Sequence, residues 1–230
     1  MEEIKNVEEE IPIVETLEEI YEADAKQMEE EHISKYMIIT RRFEEIYDGK
    51  PEFFSRVPSR VKLLGDHIEY SDYPSISAAL EQDIIIAFKQ SSEPYFEINN
   101  FIENLYRGVK IPVGGSMKPL EGTQDKWANS IIQGISHILK QLNVKPEQGI
   151  QMLIFSSLLE DSGIGSEDAL IVAAEVMTYK IYGNEKLEKK KCVIGLDSIP
   201  ALYSIRNTVM EYDLHTRCYF KFPGTYSFSL

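Results

Sequence analysis

The C-terminal half of the chain alternates between helical and strand-like spacings of its hydrophobic residues. Apolar residues recur every three or four positions along residues 122–142, which predicts a helix with one face in the core. His137 on this helix has no second histidine a turn away, so we expect a structural role rather than metal binding. Residues 149–157 form an apolar run that predicts a strand, and helical spacing resumes over residues 169–182. The loop between that strand and that helix is therefore expected at a helix N-terminus.

The chain before residue 122 is richer in predicted strands. Residues 34–47 have helical spacing and are followed by Gly49 and Pro51, which end helices. Apolar or β-branched runs predict strands at residues 53–57, from residue 60 onward, and at residues 83–89, 95–98 and 218–222. Residues 186–206 are helical in pattern but interrupted near Pro200. Strands followed by alternating helices and strands predict a two-layer α+β domain.

The N-terminal residues are strongly acidic. Residues 2–31 contain thirteen acidic side chains against Lys5 and Lys26, so they carry most of the formal net charge of −14. The rest of the chain is close to neutral. We therefore expect an acidic N-terminal extension over residues 1–33 and a single domain over residues 34–230.

A short helix is predicted within this extension. Thr16 and Glu19 have the spacing of a capping box, and apolar residues at helical spacing follow them. We expect this helix either to pack on its own domain or to bind another protein.

Composition limits the classes of function. The chain is 43% hydrophobic, and no apolar run approaches the roughly 20 residues that span a bilayer, so a soluble globular protein is expected. Basic residues are not clustered, which disfavours nucleic-acid binding. Cys192 and Cys218 form no Cys-x-x-Cys pair, as expected for a reducing compartment and no zinc site. These features predict an intracellular, mainly cytoplasmic protein, with organelle or cytoskeletal association left open.

Polar side chains are concentrated in residues 60–70. Asp66, His67 and Glu69 stand together near the end of a predicted strand. That strand begins at Arg60. Because an ordinary core strand has no use for a histidine between two carboxylates, this segment predicts a site for a polar ligand.

This segment resembles the signature of the galactokinases and N-acetylgalactosamine kinases, members of the GHMP superfamily of small-molecule kinases. That signature reads roughly Gly-Arg-Val-Asn-hydrophobic-Ile-Gly-Glu-His-Ile-Asp-Tyr, and it aligns without a gap from Arg60 onward. Agreement continues through residues 81–83. The resemblance implies that Arg60 assists phosphoryl transfer. It also implies that four side chains bind the sugar: Asp66, His67, Glu69 and Tyr70.

Two of the implied sugar-binding residues depart from the family pattern. Asp66 replaces a glutamate and Glu69 replaces an aspartate, so each carboxylate is displaced by the length of a methylene. Lys62 also replaces an asparagine. Hydrogen bonds weaken quickly beyond about 3 Å, so both changes are expected to misplace the acceptors. The alternative is that Asp66 and Glu69 only cap turns and pair with Arg60.

The second family motif is a glycine- and serine-rich loop that binds ATP phosphates at a helix N-terminus. It falls on residues 159–170, where Gly163, Gly165 and Ser166 are compatible with it. Glu167 stands where the family has a serine near magnesium. Three further acids lie in the same segment: Glu160, Asp161 and Asp168. Four carboxylates are expected to repel a triphosphate, although acids at a helix start are also ordinary stabilising residues.

The third family motif places its catalytic aspartate at Glu211. The glycines of the family are replaced there by Asn207, Thr208 and Val209. The resemblance implies a GHMP-kinase N-terminal domain, of the type called ribosomal protein S5 domain 2-like. The second domain of the family is expected to be absent, because the chain ends at Leu230 soon after this motif.

These departures predict a galactokinase-like pseudoenzyme that serves as a structural or protein-interaction subunit. Its expected partners are other proteins, bound through the acidic N-terminal helix and the face left by the missing second domain. No cofactor is expected. One open alternative is an ATP- and magnesium-dependent kinase of galactose or N-acetylgalactosamine, in which Arg60 and Glu211 act at the phosphate. The other is a galactose-binding sensor.

Overall fold

The structure, a computed structural model, describes most of the chain. The described residues are 10–21, 26–66, 71, 73–115, 117–122, 125–158, 162–183, 186–192, 199–203, 208–213 and 218–223. Among them, no helix combines the length and the apolar character needed to cross a membrane.

Along the described chain, two helices precede four strands, and the remaining elements follow in the order helix, strand, helix, helix, strand, strand. The helices are α1 (Leu17–Tyr21), α2 (Lys26–Tyr47), α3 (Asn129–Leu142), α4 (Ser166–Tyr182) and α5 (Ile199–Tyr203). The strands are β1 (Phe53–Leu64), β2 (Ser75–Gln90), β3 (Tyr95–Asn100), β4 (Val109–Pro112), β5 (Ile150–Ser156), β6 (Thr208–Asp213) and β7 (Cys218–Pro223). Short 3₁₀ segments are found at Lys126–Ala128 and Lys189–Cys192.

The seven described strands form one sheet around the long strand β2. Its order is β4-β3-β5-β2-β6-β7, and β1 pairs with β2 outside this path. Because β1 and β5 both pair with residues 84–88 of β2, they lie on opposite edges of that strand. β3 and β5 are parallel, and the other pairs are antiparallel.

Each face of the sheet carries its own hydrophobic cluster, because successive side chains of a strand point to opposite faces. Ile84, Ile86 and Phe88 of β2 belong to one cluster, which α3 and α4 cover. Ile85 and Ala87 belong to the other cluster, which α1 and α2 cover. The N-terminal helices α1 and α2 therefore pack on the same sheet as α3 and α4, but on its opposite face.

The α+β class predicted from the sequence is confirmed. The predicted order of helix, strand and helix over residues 122–182 corresponds to α3, β5 and α4. Residues 53–64 form one strand where two were predicted, and β4 and β6 were not predicted. α2 begins at Lys26, so it runs through the boundary expected at residues 33–34; the division into extension and domain stays a prediction. Residues 186–206 contain, in their described part, a 3₁₀ segment and α5 rather than one interrupted helix.

Candidate functional site

The candidate site lies where β1 meets the loop that precedes α4. The backbone N–H of Arg60 donates to the carbonyl oxygen of Ile164 in this loop at 3.0 Å. Gly165 follows with a φ of +75°, which residues with a side chain rarely adopt. A Cβ at Gly165 would also lie 2.9 Å from Cγ of Arg60. The fold thus brings the first two family motifs into direct contact.

Arg60 pairs with an acidic residue just beyond the loop. Its Nη2 lies 3.5 Å from Oδ2 of Asp168, in the first turn of α4. The Arg60 side chain is only 9% exposed, so its charge is largely withdrawn from water. An ion pair in such a place is screened less than one on the open surface. The positive charge to which the resemblance assigns a role in phosphoryl transfer therefore lies beside a carboxylate of the same chain.

The rest of the loop forms an open turn at the start of α4. Gly163 has a φ of +72°, and a Cβ there would meet nothing within 4 Å. α4 begins at Ser166 without a side-chain cap, and the first N–H groups of a helix have no partner inside it. Glu167 is exposed in the same turn. Glu167 and Asp168 thus place two carboxylates in the helical turn whose N–H groups would have to bind a phosphate.

A second ion pair joins Lys62 and Asp66 near the end of β1. The lysine Nζ lies 3.3 Å from Oδ1 of Asp66. The Lys62 side chain is largely buried, whereas that of Asp66 is mostly exposed. The lysine that replaces the family asparagine therefore contacts the carboxylate that the resemblance assigns to the sugar.

The other predicted site residues are less completely described. Three of the predicted sugar-binding residues lie outside the described part of the chain: His67, Glu69 and Tyr70. Glu211 lies in β6 and pairs with Ile76 of β2, which in turn pairs with Leu64 of β1. The strand that carries Glu211 is thus separated from the end of β1 by a single strand. The catalytic assignment of Glu211 stays a prediction.

Asp83 is the centre of a buried polar cluster that the sequence does not reveal. Its side chain is fully buried and accepts from Arg56 Nε at 2.7 Å and from Lys35 Nζ at 3.0 Å. The Tyr21 hydroxyl donates to Oδ2 at 3.2 Å, and Ser157 Oγ lies 3.3 Å from Oδ1. The Asp83 carboxylate thus joins α1 and α2 to Arg56 of β1 and to Ser157, which directly follows β5. Its role here is structural.

The sequence shows Asp83 only as the end of the family signature. A signal was nevertheless present, because Asp83 directly precedes the apolar run of residues 84–88. An acid on a strand buried on both faces is buried with it, and a buried carboxylate needs hydrogen-bond donors or cations. Which donors these are depends on strand pairing and helix packing.

His137 pairs with Glu175 between α3 and α4. Its Nδ1 lies 2.5 Å from Oε1 of Glu175, whose side chain is fully buried. Burial raises the pKa of Glu175 to about 9 and lowers the pKa of His137. Both directions favour a neutral pair, and the imidazole tautomer determines which of the two groups donates the hydrogen bond. The contact joins two helices, and no group of three or more potential metal ligands is present among the described residues.

A known family signature matches this part of the chain. The galactokinase galactose-binding signature covers residues 41–90. This range contains the last third of α2, all of β1 and all of β2. It therefore includes Arg60, Lys62, Asp66 and Asp83.

Known galactokinases are similar to a larger part of the chain. The galactokinase of Schizosaccharomyces pombe is 27% identical over 177 residues, covering 71% of this chain and 34% of that protein. The galactokinase of Saccharomyces cerevisiae is 28% identical over 171 residues, covering 70% of this chain and 32% of that protein. The chain thus spans about a third of the length of these curated relatives.

Solved structures extend the comparison to the fold. Lactococcus lactis galactokinase complexed with galactose superposes with a TM-score of 0.70 at 16% identity, covering 82% of this chain and 51% of that one. Methanococcus jannaschii mevalonate kinase superposes with a TM-score of 0.62 at 19% identity, covering 76% and 57% of the two chains. The chain is therefore galactokinase-like in sequence and has the fold of the GHMP small-molecule kinases.

Proposed function

We propose that this chain is a galactokinase-like protein that does not transfer phosphoryl groups and acts as a structural or protein-binding subunit of a larger assembly. The observation that supports this proposal best is the ion pair between Arg60 and Asp168. It pairs the motif arginine with a carboxylate at the loop that would have to receive phosphate.

The charges around the loop oppose a nucleotide. A helix N-terminus favours an anion by about 0.3 to 1 kcal/mol, and by up to about 2 kcal/mol in favourable geometries. A like-charge pair at 4 Å costs about 4 kcal/mol at an effective dielectric constant of 20. Glu167 and Asp168 both lie in the first turn of α4. A magnesium ion could use one carboxylate as a ligand, but Asp168 already pairs with Arg60.

The sugar side of the site is altered in a similar way. Asp66 lies within 3.3 Å of Lys62, so a sugar hydroxyl would compete with an ammonium group for this carboxylate. Phosphoryl transfer depends on precise positioning of its substrates. A shortened acceptor that is also engaged by a lysine is a poor positioning group.

The proposed protein-binding role is supported by apolar side chains that face solvent near the end of β1. Leu63, Leu64 and Tyr73 are exposed, and the Leu64 side chain is 66% accessible. Single exposed apolar residues are normal, but several near one strand end favour a surface that another protein covers. Tyr21 of α1 is buried on the chain's own sheet, which favours the first of the two roles expected for the acidic helix.

An activity assay tests the loss of phosphoryl transfer. Purified protein is incubated with ATP, magnesium and galactose or N-acetylgalactosamine, and sugar phosphate is measured by mass spectrometry. The proposal expects no product above the level of a heat-denatured control. Turnover that disappears in Arg60→Ala would overturn it and establish the kinase alternative, with ATP and magnesium as its cofactors.

The assembly role needs a separate measurement. The native protein is isolated from its own cells under mild conditions, and its molecular mass is determined by light scattering. We expect a complex that contains other protein subunits. Recovery of the chain only as a free monomer would overturn this part of the proposal.

Sugar binding without catalysis is the second candidate function. It is favoured by the match of residues 41–90 to a galactose-binding signature. Titration calorimetry with galactose in the absence of ATP separates the two functions. Saturable heat that is lost in Asp66→Ala supports a galactose-binding sensor, and no heat supports the structural role.

A further inference from the structure

His32 and Tyr21 form a buried stack between the two N-terminal helices. The ring centroids are 3.4 Å apart and the ring planes differ by 9°. His32 is 6% exposed, so the stacked imidazole is almost completely removed from water. This stack and the hydrogen bond from the Tyr21 hydroxyl to Asp83 are among the contacts that hold α1 on the sheet.

The buried imidazole of His32 lacks hydrogen bonds to the described residues. Neither ring nitrogen has a hydrogen-bond partner among the described residues. Oε1 of Glu81 lies 3.5 Å from Nε2, but the Glu81 side chain is 61% exposed and mostly in water. A neutral ring tolerates this environment far better than an imidazolium, which carries a full charge.

The charged groups around His32 also oppose a proton. Lys35 follows it on α2, and its Nζ lies 5.9 Å from the centre of the Tyr21 ring. Arg56 of β1 reaches to 4.7 Å from that centre. Asp83 is the buried counter-charge, but it is already bound by both cations. Tyr36, which interacts with Tyr21, is a further titratable group beside the stack.

These surroundings favour the neutral form of the His32 imidazole over the protonated form. Burial, and after it the charge of Lys35, lower the pKa of His32 below its ordinary value of about 6.5. Glu81 and Asp83 act in the opposite direction but do not outweigh them. Once α1 has left the sheet and His32 faces water, the imidazole regains its ordinary basicity.

We propose that His32 is a pH-sensitive latch, whose protonation releases α1 from the sheet. Between the docked pKa and about 6.5, the released form binds a proton that the docked form does not, so acidification favours release. Release uncovers Tyr21 together with Leu17 and Ile20, which pack against the same cluster. Mild acidification thus exposes the apolar side of α1, which packs on the sheet at neutral pH. This device is independent of whether the chain transfers phosphate.

Amide hydrogen exchange of the wild-type protein tests the latch. Exchange of residues 17–21 is compared at pH 7.5 and pH 5.5, after correction for the intrinsic pH dependence of exchange. We expect exchange to accelerate on acidification, by at most about tenfold per pH unit for a single proton. Residues 129–142 in the same sample are the internal control and should not respond. Equal corrected exchange of residues 17–21 at both pH values would overturn the proposal.

His32→Phe is the matched variant, because a phenyl ring can stack on Tyr21 but cannot be protonated. In this variant, exchange of residues 17–21 should be the same at both pH values. An acid response as large as that of the wild type would show that another group is responsible. If the variant does not fold, an NMR titration of the wild-type His32 ring decides instead. A pKa at or above 6.5, or one unconnected with the exchange of α1, would overturn the latch.

Discussion

The guanidinium Nη2 of Arg60 lies 3.5 Å from the carboxylate Oδ2 of Asp168. These two residues belong to different family motifs, and the contact between β1 and the loop before α4 joins them. A buried arginine at a phosphate-type loop would ordinarily attract anions. Here the carboxylate of Asp168 lies beside the positive charge, so mutation of Asp168 tests the effect of this pair on anion binding.

Removing this internal counter-charge should increase anion affinity. Asp168→Asn removes the negative charge that lies 3.5 Å from the guanidinium. A single charge at 4 Å is worth about 1 kcal/mol even in bulk water, so we expect tripolyphosphate to bind at least about fivefold more tightly. Titration calorimetry at low salt measures this change. Glu167→Gln is the matched control, because Glu167 lies in the same helical turn and is exposed. An equal gain in both variants would refute a specific role for Asp168.

Asp83 should be essential for stability. Asp83→Asn leaves Arg56 and Lys35 without their shared buried counter-charge, and breaking a buried ion pair from one side costs about 3 to 5 kcal/mol. Urea unfolding at pH 7.5 measures the change in unfolding free energy. The control is Glu81→Gln on the same strand, where the exposed side chain should change stability by no more than about 0.5 kcal/mol. A small change in unfolding free energy for Asp83→Asn would mean that water solvates Arg56 and Lys35 once the carboxylate is lost.

Glu175 should make the protein less stable as the pH rises. Its pKa is about 9 in the folded protein and 4.5 in the reference state, so between these values only the folded protein keeps the proton. The unfolded state then binds fewer protons, and the free energy of unfolding falls with pH by at most about 1.4 kcal/mol per unit. Glu175→Gln should remove this slope and be more stable than the wild type at pH 8. Urea unfolding between pH 5 and pH 9 measures both effects.

The exposed residue Glu147 supplies the control for this pH dependence. Glu147→Gln makes the same carboxyl-to-amide change at the surface, and it should keep the slope of the wild type. A slope that persists in Glu175→Gln would assign the pH dependence to another group.

Gly163 and Gly165 should tolerate alanine to different degrees. Both have positive φ values, +72° and +75°, so alanine costs about 1 to 2 kcal/mol of backbone strain at either position. Only at Gly165 would the new Cβ also meet the Arg60 side chain, at 2.9 Å. We expect Gly165→Ala to be about 1 to 3 kcal/mol less stable than Gly163→Ala. Thermal or urea unfolding of the two variants measures the difference, and equal losses would show that Arg60 moves aside freely.

Periodicity along the chain predicts much of this fold because it is a local property. The helical spacing of residues 122–142 and 169–182 and the apolar run of residues 149–157 need no knowledge of the partner elements. The family motifs are also local, because Arg60 and the glycines of the loop are identified from residue type and spacing alone. Periodicity did not predict the full length of β2, because this strand extends well beyond its apolar run. It did not predict β4 at all, because four residues are too few to show a pattern.

What the sequence determined by itself is the α+β class, the order of α3, β5 and α4, and the likeness to galactokinases. What only the tertiary structure decided is which charges meet. Asp168 pairs with Arg60, and Asp83 binds Lys35 and Arg56, because strand pairing and helix packing bring distant segments to within hydrogen-bond distance. The identity of an acidic residue in the sequence does not show whether its carboxylate contacts a phosphate, a sugar or an arginine. Its electrostatic role depends on distance and burial, and both are set by the folded chain.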